Sequence, residues 1–294
     1  MELRHFRYFI AVAEELHFSR AAERLNIEQS PLSRTIKDLE SKLGARLFDR
    51  TPRGARLTWA GQVFLEDAYR IMQYVDQAKL NAKAAVAGYR GALRIALCDG
   101  IPRSHLATLL TWCREEEPEV EIRLSEVSLS DQLKGLRDGL YDACFSLTDE
   151  AQPGIVAEPI WHDPLVIILP SRHPLLVYKD VPLQEAVNYP VVLCDLQICA
   201  GCVPQLDKVR RANSSQCVIT ERATSHELML TLVAAGYGVG LTSAAHVKFS
   251  QHNDIVVRPV TGHSLMFITY LLRPDTGLSE QLRNFILRAK QINT

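Results

Sequence analysis

"NIEQSPLSRTIKDLESKLGARLFDR", Asn26 to Arg50, is the stretch on which the fold turns. Leu32, Ile36, Leu39 and Leu43 recur at spacings of four, three and four, which places them on one face of a helix. The opposite face offers Ser33, Arg34, Lys37 and Ser41. Ser30 with Pro31 suits an N-cap and first-turn pair, and Gly44 suits the left-handed end of the helix. Upstream, "LRHFRYFIAVAEEL" puts Phe6, Phe9, Ala13 and Leu16 on one side. "FSRAAERLNI" packs Ala21, Ala22, Leu25 and Ile27 into a small volume, with Ser19 as N-cap. Three short helices with small residues at the crossing predict a helix-turn-helix. Its last helix can lie in a major groove and present Ser33, Arg34 and Lys37 to bases and phosphates. Downstream, "ARLFDRTPRGARLT" sets a Thr-Pro-Arg-Gly turn between two short apolar runs, the pattern of a β-hairpin wing. Arg50, Arg53 and Arg56 on it are placed to reach a backbone or a narrow minor groove. The competing reading is a three-helix protein-binding module with solvated arginines.

Composition bounds the rest. At 294 residues the chain has room for about two domains of roughly 150 residues. No run of 18 apolar residues occurs, and the opening "MELRHFRYFIAVAEELHFSR" carries acids and lacks a small-residue cleavage site. Neither a membrane span nor a secretory signal is expected, so the predicted location is cytoplasmic. Seven cysteines, an odd number, fit a reducing compartment better than a disulfide framework. The net charge of −1 hides an asymmetry: residues 1–60 carry 11 Lys+Arg against 8 Asp+Glu, and the remainder carries 22 against 26. A basic head on an acidic body points to an anionic partner at the head.

From Trp59 to Ala87 there is no proline, and the only glycine is Gly61. Phe64, Ala68, Ile71, Val75, Ala78, Ala82 and Ala85 follow a heptad seam, which predicts a long helix pairing with its copy in a second subunit. The alternative is a helix packed on the second domain. "AGYRG", Ala87 to Gly91, breaks it. Beyond, the pattern becomes strand, helix, strand, helix, strand: "LRIALCD", "PRSHLATLLTWCREEEP", "EIRLSEVS", "SDQLKGLRDG" and "YDACFSL". That predicts a parallel sheet. "PLVIILPSRHPL" reads as a strand leaving this unit for a second one, built from "YPVVLCDL", "CVITERA", the helix "HELMLTLVAAG" and "GVGLTS". "HSLMFITYLLR" returns to the first unit, and residues 279–291 close it as a helix. Two such lobes enclose a cleft, where ligands meet the carboxyl ends of strands and helix N-termini.

On "FRYFIAVAEELHFSRAAERLNIEQSPLSRTIKDLESKLGARLFDRTPRGARLTWAG", Phe6 to Gly61, the chain resembles the LysR-type transcriptional regulators. The likeness is close over residues 1–60 and looser in the second half, where only the layout matches. It implies an α/β protein with an N-terminal winged helix-turn-helix (1–58), a long linker helix for dimerisation (59–87) and a hinge (88–91). A C-terminal two-lobed, periplasmic-binding-protein-like effector domain follows (92–294), with lobe I at about 92–161 and 267–294 and lobe II at about 162–266. It further implies double-stranded promoter DNA as partner, a homodimer through the linker helix and a homotetramer, a small-molecule effector in place of any cofactor, and RNA polymerase as a further partner. By resemblance Gln29, Ser33 and Arg34 touch base edges, while Lys37, Arg50 and Arg53 serve the backbone or minor groove; Ser19 and Ser30 are further DNA-binding candidates. One departure stands out: Glu28-Gln29-Ser30-Pro31 replaces the family's usual Ser, Thr or Ala followed by Gln-Pro, which sets a carboxylate near the DNA. The cleft candidates are Asp99, Gly100 and Ile101, Ser128 and Leu129, and Thr224, Ser225 and His226. Helix N–H groups and hydroxyls there favour a small carboxylate, and Asp99 opposes one.

Other chemistry nearly appears. "HELML" starts like the zinc motif H-E-x-x-H but has Leu230 at its fifth position. "GYGVG", residues 236–240, follows a helix and leads into a strand, the wrong order for a dinucleotide loop. No nucleophile elbow or phosphate-binding loop occurs, so no enzyme and no metal cofactor are expected. Cys98, Cys194, Cys199 and Cys202 could share the crevice as a redox or soft-metal sensor, against a reading as ordinary cysteines. A solute-binding protein would leave residues 1–60 unexplained, and a purely architectural DNA binder would not need a cleft.

Overall fold

The computed structural model describes residues 1–51, 54–149, 152–194, 219–248, 253–261 and 266–292. The chain divides into two compact units, Met1–Ala87 and Gly88–Thr294. No helix among the described residues is long and apolar enough to cross a membrane.

The first unit is built from α1 (Leu3–Glu15), α2 (Phe18–Arg24), α3 (Gln29–Leu43), the strands β1 (Phe48–Thr51) and β2 (Gly54–Leu57), and the helix α4 (Trp59–Val86). Leu32, Ile36 and Leu39 are fully buried, as the stripe requires. They sit with Phe6, Phe9, Phe18 and Phe48 in one core. Its ring contacts are geometric rather than merely close: Phe9 meets Phe48 at 5.3 Å and the edge of Phe64 at 5.0 Å. Gly44 ends α3 at φ 65°. β1 and β2 pair antiparallel, Phe48 opposite Leu57, which makes the wing. Two tethers hold it. The Glu40 carboxylate on α3 accepts the backbone N–H groups of Leu47 and Phe48, and the N–H of Ala55 donates to the carbonyl of Leu16.

Two helix starts differ from expectation. α2 begins one residue before Ser19, with His17 as its N-cap. α3 begins at Gln29 with Glu28 as N-cap, so Ser30 and Pro31 fall inside its first turn. Proline is tolerated there because first-turn N–H groups have no intrahelical acceptor.

α4 starts on Thr58, whose hydroxyl accepts the N–H of Gly61. A Cβ on Gly61 would strike the Leu47 carbonyl oxygen, so only glycine lets the linker start this close to the wing. The heptad seam is divided. Phe64, Ala68 and Ile71 pack into the head's own core, whereas Ala78, Ala82 and Ala85 are exposed. The front of the seam therefore belongs to the subunit itself rather than to a partner.

The second unit is a single twisted sheet in two halves. Strands β3 (Gly91–Leu97), β4 (Val120–Glu126) and β5 (Ala143–Ser146) run parallel, crossed by α5 (Arg103–Glu116) and α6 (Leu129–Arg137). The strand β6 (Ile155–Pro170) is 16 residues long and joins the halves. Its front pairs antiparallel with the late strand spanning Met266–Pro274, from Pro274↔Ile155 to Met266↔Pro164. Its back pairs with the second half from Leu165 onward. Partners change there, a few residues beyond the 161/162 division expected from sequence. That half contains β7 (Val181–Pro182), α7 (Leu183–Ala186), β8 (Val191–Cys194), β9 (Ile219–Ala223), α8 (His226–Ala234), β10 (Val239–Ser243), α9 (Ala244–Val247) and β11 (Ile255–Thr261). β12 (Met266–Pro274) and α10 (Glu280–Gln291) return to the first half. β10 is parallel to β8, and β8 to β9. Trp161, fully buried, stacks on Phe145 at 4.7 Å and donates its ring N–H to the carbonyl of Ala289, fastening α10 under the sheet.

Candidate nucleic-acid interface and ligand cleft

The exposed face of α3 carries Gln29, Ser30, Arg34 and Lys37, with Ser33 half-buried beside them. The Ser19 hydroxyl donates to Gln29 Oε1 at 2.9 Å, so the turn between α2 and α3 presents both side chains together. Sequence reasoning had Ser19 as a cap; it acts instead as a brace for Gln29. What separates these residues from an ordinary solvated face is the ion-pair pattern. Arg4 pairs with Glu2, Arg20 with Glu15, Arg24 with Glu14 and Glu15, and Lys42 with Asp38. Arg34, Lys37, Arg46 and Arg56 make no ion pair with any described residue. Arg4, Arg20 and Arg24 on the α1–α2 side are paired, whereas Arg34 and Lys37 on α3, Arg46 before the wing and Arg56 on it stay open, which leaves positive potential where a groove-bound helix needs it. Asp38 is drawn away from that face by Lys42 and by buried His5, whose ring lies 2.9 Å from it. Both partners hold its carboxyl below the usual range, Lys42 first. Arg53 lies outside the described residues, and Arg50 has only its backbone, on β1, described.

Across the head, the Tyr69 hydroxyl on α4 donates to Glu14 at 2.6 Å, and Glu14 also takes Arg24. Burial, reinforced by that carboxylate, pushes the Tyr69 phenol up to about 12. The phenol thus remains a donor throughout the physiological range, and α1, α2 and α4 stay locked behind α3.

In the second unit, a small cleft open to solvent is lined by Gly100, Pro102, Leu147, His226, Thr242, Ser243, Phe267 and Thr269. It lies at the carboxyl end of β10 and the N-terminus of α8, where parallel-sheet ligand sites form. His226 and His246 stack with ring centroids 3.5 Å apart. His226 Nε2 shares a hydrogen bond with the Thr242 hydroxyl at 3.1 Å, and His246 Nδ1 meets the Gly100 carbonyl at 3.2 Å. Burial, aided by His246, drives the His226 ring well below its ordinary value. His246 is lowered by burial too, with the Gly100 carbonyl and Asp99 pulling it back.

A stability prediction follows from the sign of these shifts. Above about pH 6.5 the rings are neutral in folded and unfolded chains alike. As pH falls below that value the unfolded chain takes up protons that the native cleft refuses, so stability is lost down through the folded values. A fully suppressed histidine costs about 1.4 kcal/mol per pH unit in this window. The melting temperature of the second unit should drop between pH 7.5 and 5.5, and His226→Asn should flatten the drop; an unchanged slope in that variant would contradict the assignment.

Of the cleft residues expected from sequence, Gly100 and His226 line the cavity. Asp99 sits beside it and accepts the backbone N–H of His226. Ser225 is the N-cap of α8, its hydroxyl accepting the N–H of Leu228, and Thr224 is exposed one residue earlier. Ile101 instead belongs to the apolar core under the first half-sheet. Ser128 is exposed and caps α6 through the Asp131 N–H, and Leu129 packs on a separate apolar cluster, so neither reaches the cavity lining. Thr242, Ser243, Phe267 and Thr269 escaped sequence reasoning; a hydroxyl pair closing the apolar strand "GVGLTS" was the available signal.

The cysteines divide. Cys98 is buried in the core of the first half, and burial pushes its thiol up to about 12. Such a thiol holds almost no thiolate at neutral pH and is a poor nucleophile. Cys194 sits in a different apolar cluster, its Sγ 3.8 Å from Met229 Sδ. Cys199 and Cys202 lie outside the described residues. Among the described residues no group of three or more His, Cys, Asp or Glu side chains is arranged to hold a metal ion.

Comparison with known proteins agrees with this geometry. Residues 3–62 match the family described as bacterial regulatory helix-turn-helix protein, lysR family, and residues 87–292 match the LysR substrate binding domain. The HTH-type transcriptional regulator YnfL of Escherichia coli (strain K12) is 34% identical over 97% of this chain and 96% of its own. The Hca operon transcriptional activator HcaR of the same organism is 32% identical over the same shares. Among solved structures, full-length CbnR complexed with its target DNA superposes with a TM-score of 0.82 at 25% identity, covering 99% of this chain and 100% of that one.

Proposed function

Because this chain belongs to the LysR-type transcriptional regulators, with a helix-turn-helix at its head and an effector-binding domain behind, we propose a specific division of labour among its residues. α3 enters the major groove. Gln29, braced by Ser19, reads base edges with Ser33 and Arg34; Ser30 and Lys37 face phosphates; Arg50 and Arg53 of the wing follow the backbone or the minor groove. The observation that carries this is the open charge of Arg34 and Lys37 opposite a fully buried stripe. The exposed rear seam of α4 serves as the pairing surface between two copies, so that two recognition helices meet two half-sites about one helical turn apart or a multiple of it. Dimers joined through their effector domains make a tetramer on promoter DNA in the cytoplasm.

The cleft of the second unit holds the small-molecule effector. A ligand bound more tightly by one closure of the two half-sheets shifts the assembly toward that form, which changes the spacing of the heads and the DNA bend. Bending a site costs a few kcal/mol, within the coupling energy a small ligand supplies. RNA polymerase reads the altered promoter.

The test is binding to duplexes from the protein's own genomic neighbourhood. Arg34→Ala should cost about 1–3 kcal/mol and relax discrimination at one base position, whereas Lys37→Ala should weaken all duplexes evenly and reduce the salt slope by about one. Full sequence discrimination retained by Arg34→Ala would overturn the assignment of α3.

A further inference from the structure

The N-terminus of α8 is the part of the cleft best equipped to receive an anion, since helix N–H groups and the dipole both point there. In this chain it is already taken. Asp99, in the turn after β3, places Oδ2 2.5 Å from the N–H of His226, the first residue of α8. Ser225 takes the N–H of Leu228, and Glu227 puts a second acid in the first turn. Among the described residues no lysine or arginine lines the cavity, and His226 in the lining and His246 stacked on it are both held toward their neutral forms. A carboxylate entering here would find a fixed like charge on the group it needs.

What the described lining offers is neutral. Thr269 is 1% exposed, lines the cavity, and its hydroxyl has no hydrogen-bond partner among the described residues. Ser243, 5% exposed, accepts the N–H of His246 through Oγ, and its own O–H donates to no described residue. Pro102, Leu147 and Phe267 supply the apolar walls. Both hydroxyls border the cavity and can donate to a neutral acceptor placed in it.

We infer that the cleft binds a small uncharged ligand with hydrogen-bonding groups, held by Thr269 and Ser243, and that Asp99 is a specificity residue that excludes carboxylates by acting as a built-in one. This rests on the reading of the cleft as the effector site. It gives Asp99 a role separate from fold stability, because the same N–H could equally be capped by a neutral oxygen.

The experiment titrates the full-length protein with matched triads on methyl, propyl and phenyl frames: the primary amide, the carboxylate and the ammonium compound. The wild-type protein should bind amides in preference to the corresponding carboxylates and ammonium compounds. Asp99→Asn keeps an oxygen on the His226 N–H and removes the charge, so its carboxylate-to-amide affinity ratio should rise at least tenfold. Asp99→Ser serves the same purpose should the first variant fold poorly. A wild-type preference for carboxylates or ammonium compounds, or a ratio unmoved in the folded variant, overturns the proposal and leaves the effector cleft standing. Failure of every compound to bind either protein overturns the cleft reading itself.

Discussion

Ile36→Ala should cost the DNA-binding head about 2–5 kcal/mol and remove duplex binding at ordinary temperatures. Ile36 is fully buried between Leu32 and Leu39, in a core that includes Phe9, Phe18 and Phe48. Aromatic rings on several elements surround it, and the gap cannot close by one side chain turning, so the cavity contribution adds to the lost transfer energy. For a domain of this size each kcal/mol lowers the melting temperature by about 4–8 °C. The head's transition should therefore fall by roughly 10 °C or more, read by circular dichroism alongside DNA titration. Arg34, two residues earlier on the same helix, is exposed and pairs with no described residue. Its alanine variant should melt like the wild type while binding more weakly. A Ile36→Ala protein that melts normally would show that α3 is not seated as described; two variants that lose stability alike would show that the polar face is structural.

That contrast also shows why this part of the fold was legible. The stripe Leu32, Ile36, Leu39 is a local signal: its spacing alone sets which face is buried, and no distant residue can change the period. The wing, the glycine end of α3 and the parallel β3–β4–β5 unit are local in the same sense. The front of β6 was not. Ile155 to Asp163 contains Pro159, Glu158, His162 and Asp163, residues that read as a break. They form strand because β12 pairs along them, with a register shift between Thr269 and Tyr270 at the proline, the irregularity where proline is tolerated. The cleft shows the same limit. Gly100 and His226 were found from helix and strand ends, but Thr242, Ser243, Phe267 and Thr269 come from strands that meet only through the fold. Ile101 and Leu129 follow strands as cleft residues do, yet their apolar side chains turn into the cores instead. Ser19 had the right chemistry for a cap and a different partner, Gln29, which no local rule supplies.

Ala82→Glu should convert the assembly to monomers at micromolar concentration and weaken binding to a two-half-site duplex by about 10²–10⁴-fold, while single half-site binding stays unchanged. The reason lies in the divided seam. Ala68, at its front, is fully buried in the head, so a charge there would destroy the head and reveal nothing about pairing. Ala82, at its rear, is exposed in the single chain, and alanine to glutamate is nearly neutral for an exposed helix. Tyr74 and Val86, which flank the seam, are also exposed, and a second helix laid along it would cover them. When two copies pair, glutamates at position 82 face each other across a seam of alanines, desolvated and alike in charge, and the pair separates. Sedimentation velocity read beside the DNA titration makes the case decisive. A glutamate variant that stays dimeric through its linker and keeps its two-site affinity would place the pairing surface elsewhere, and with it the spacing that the effector domain is meant to control.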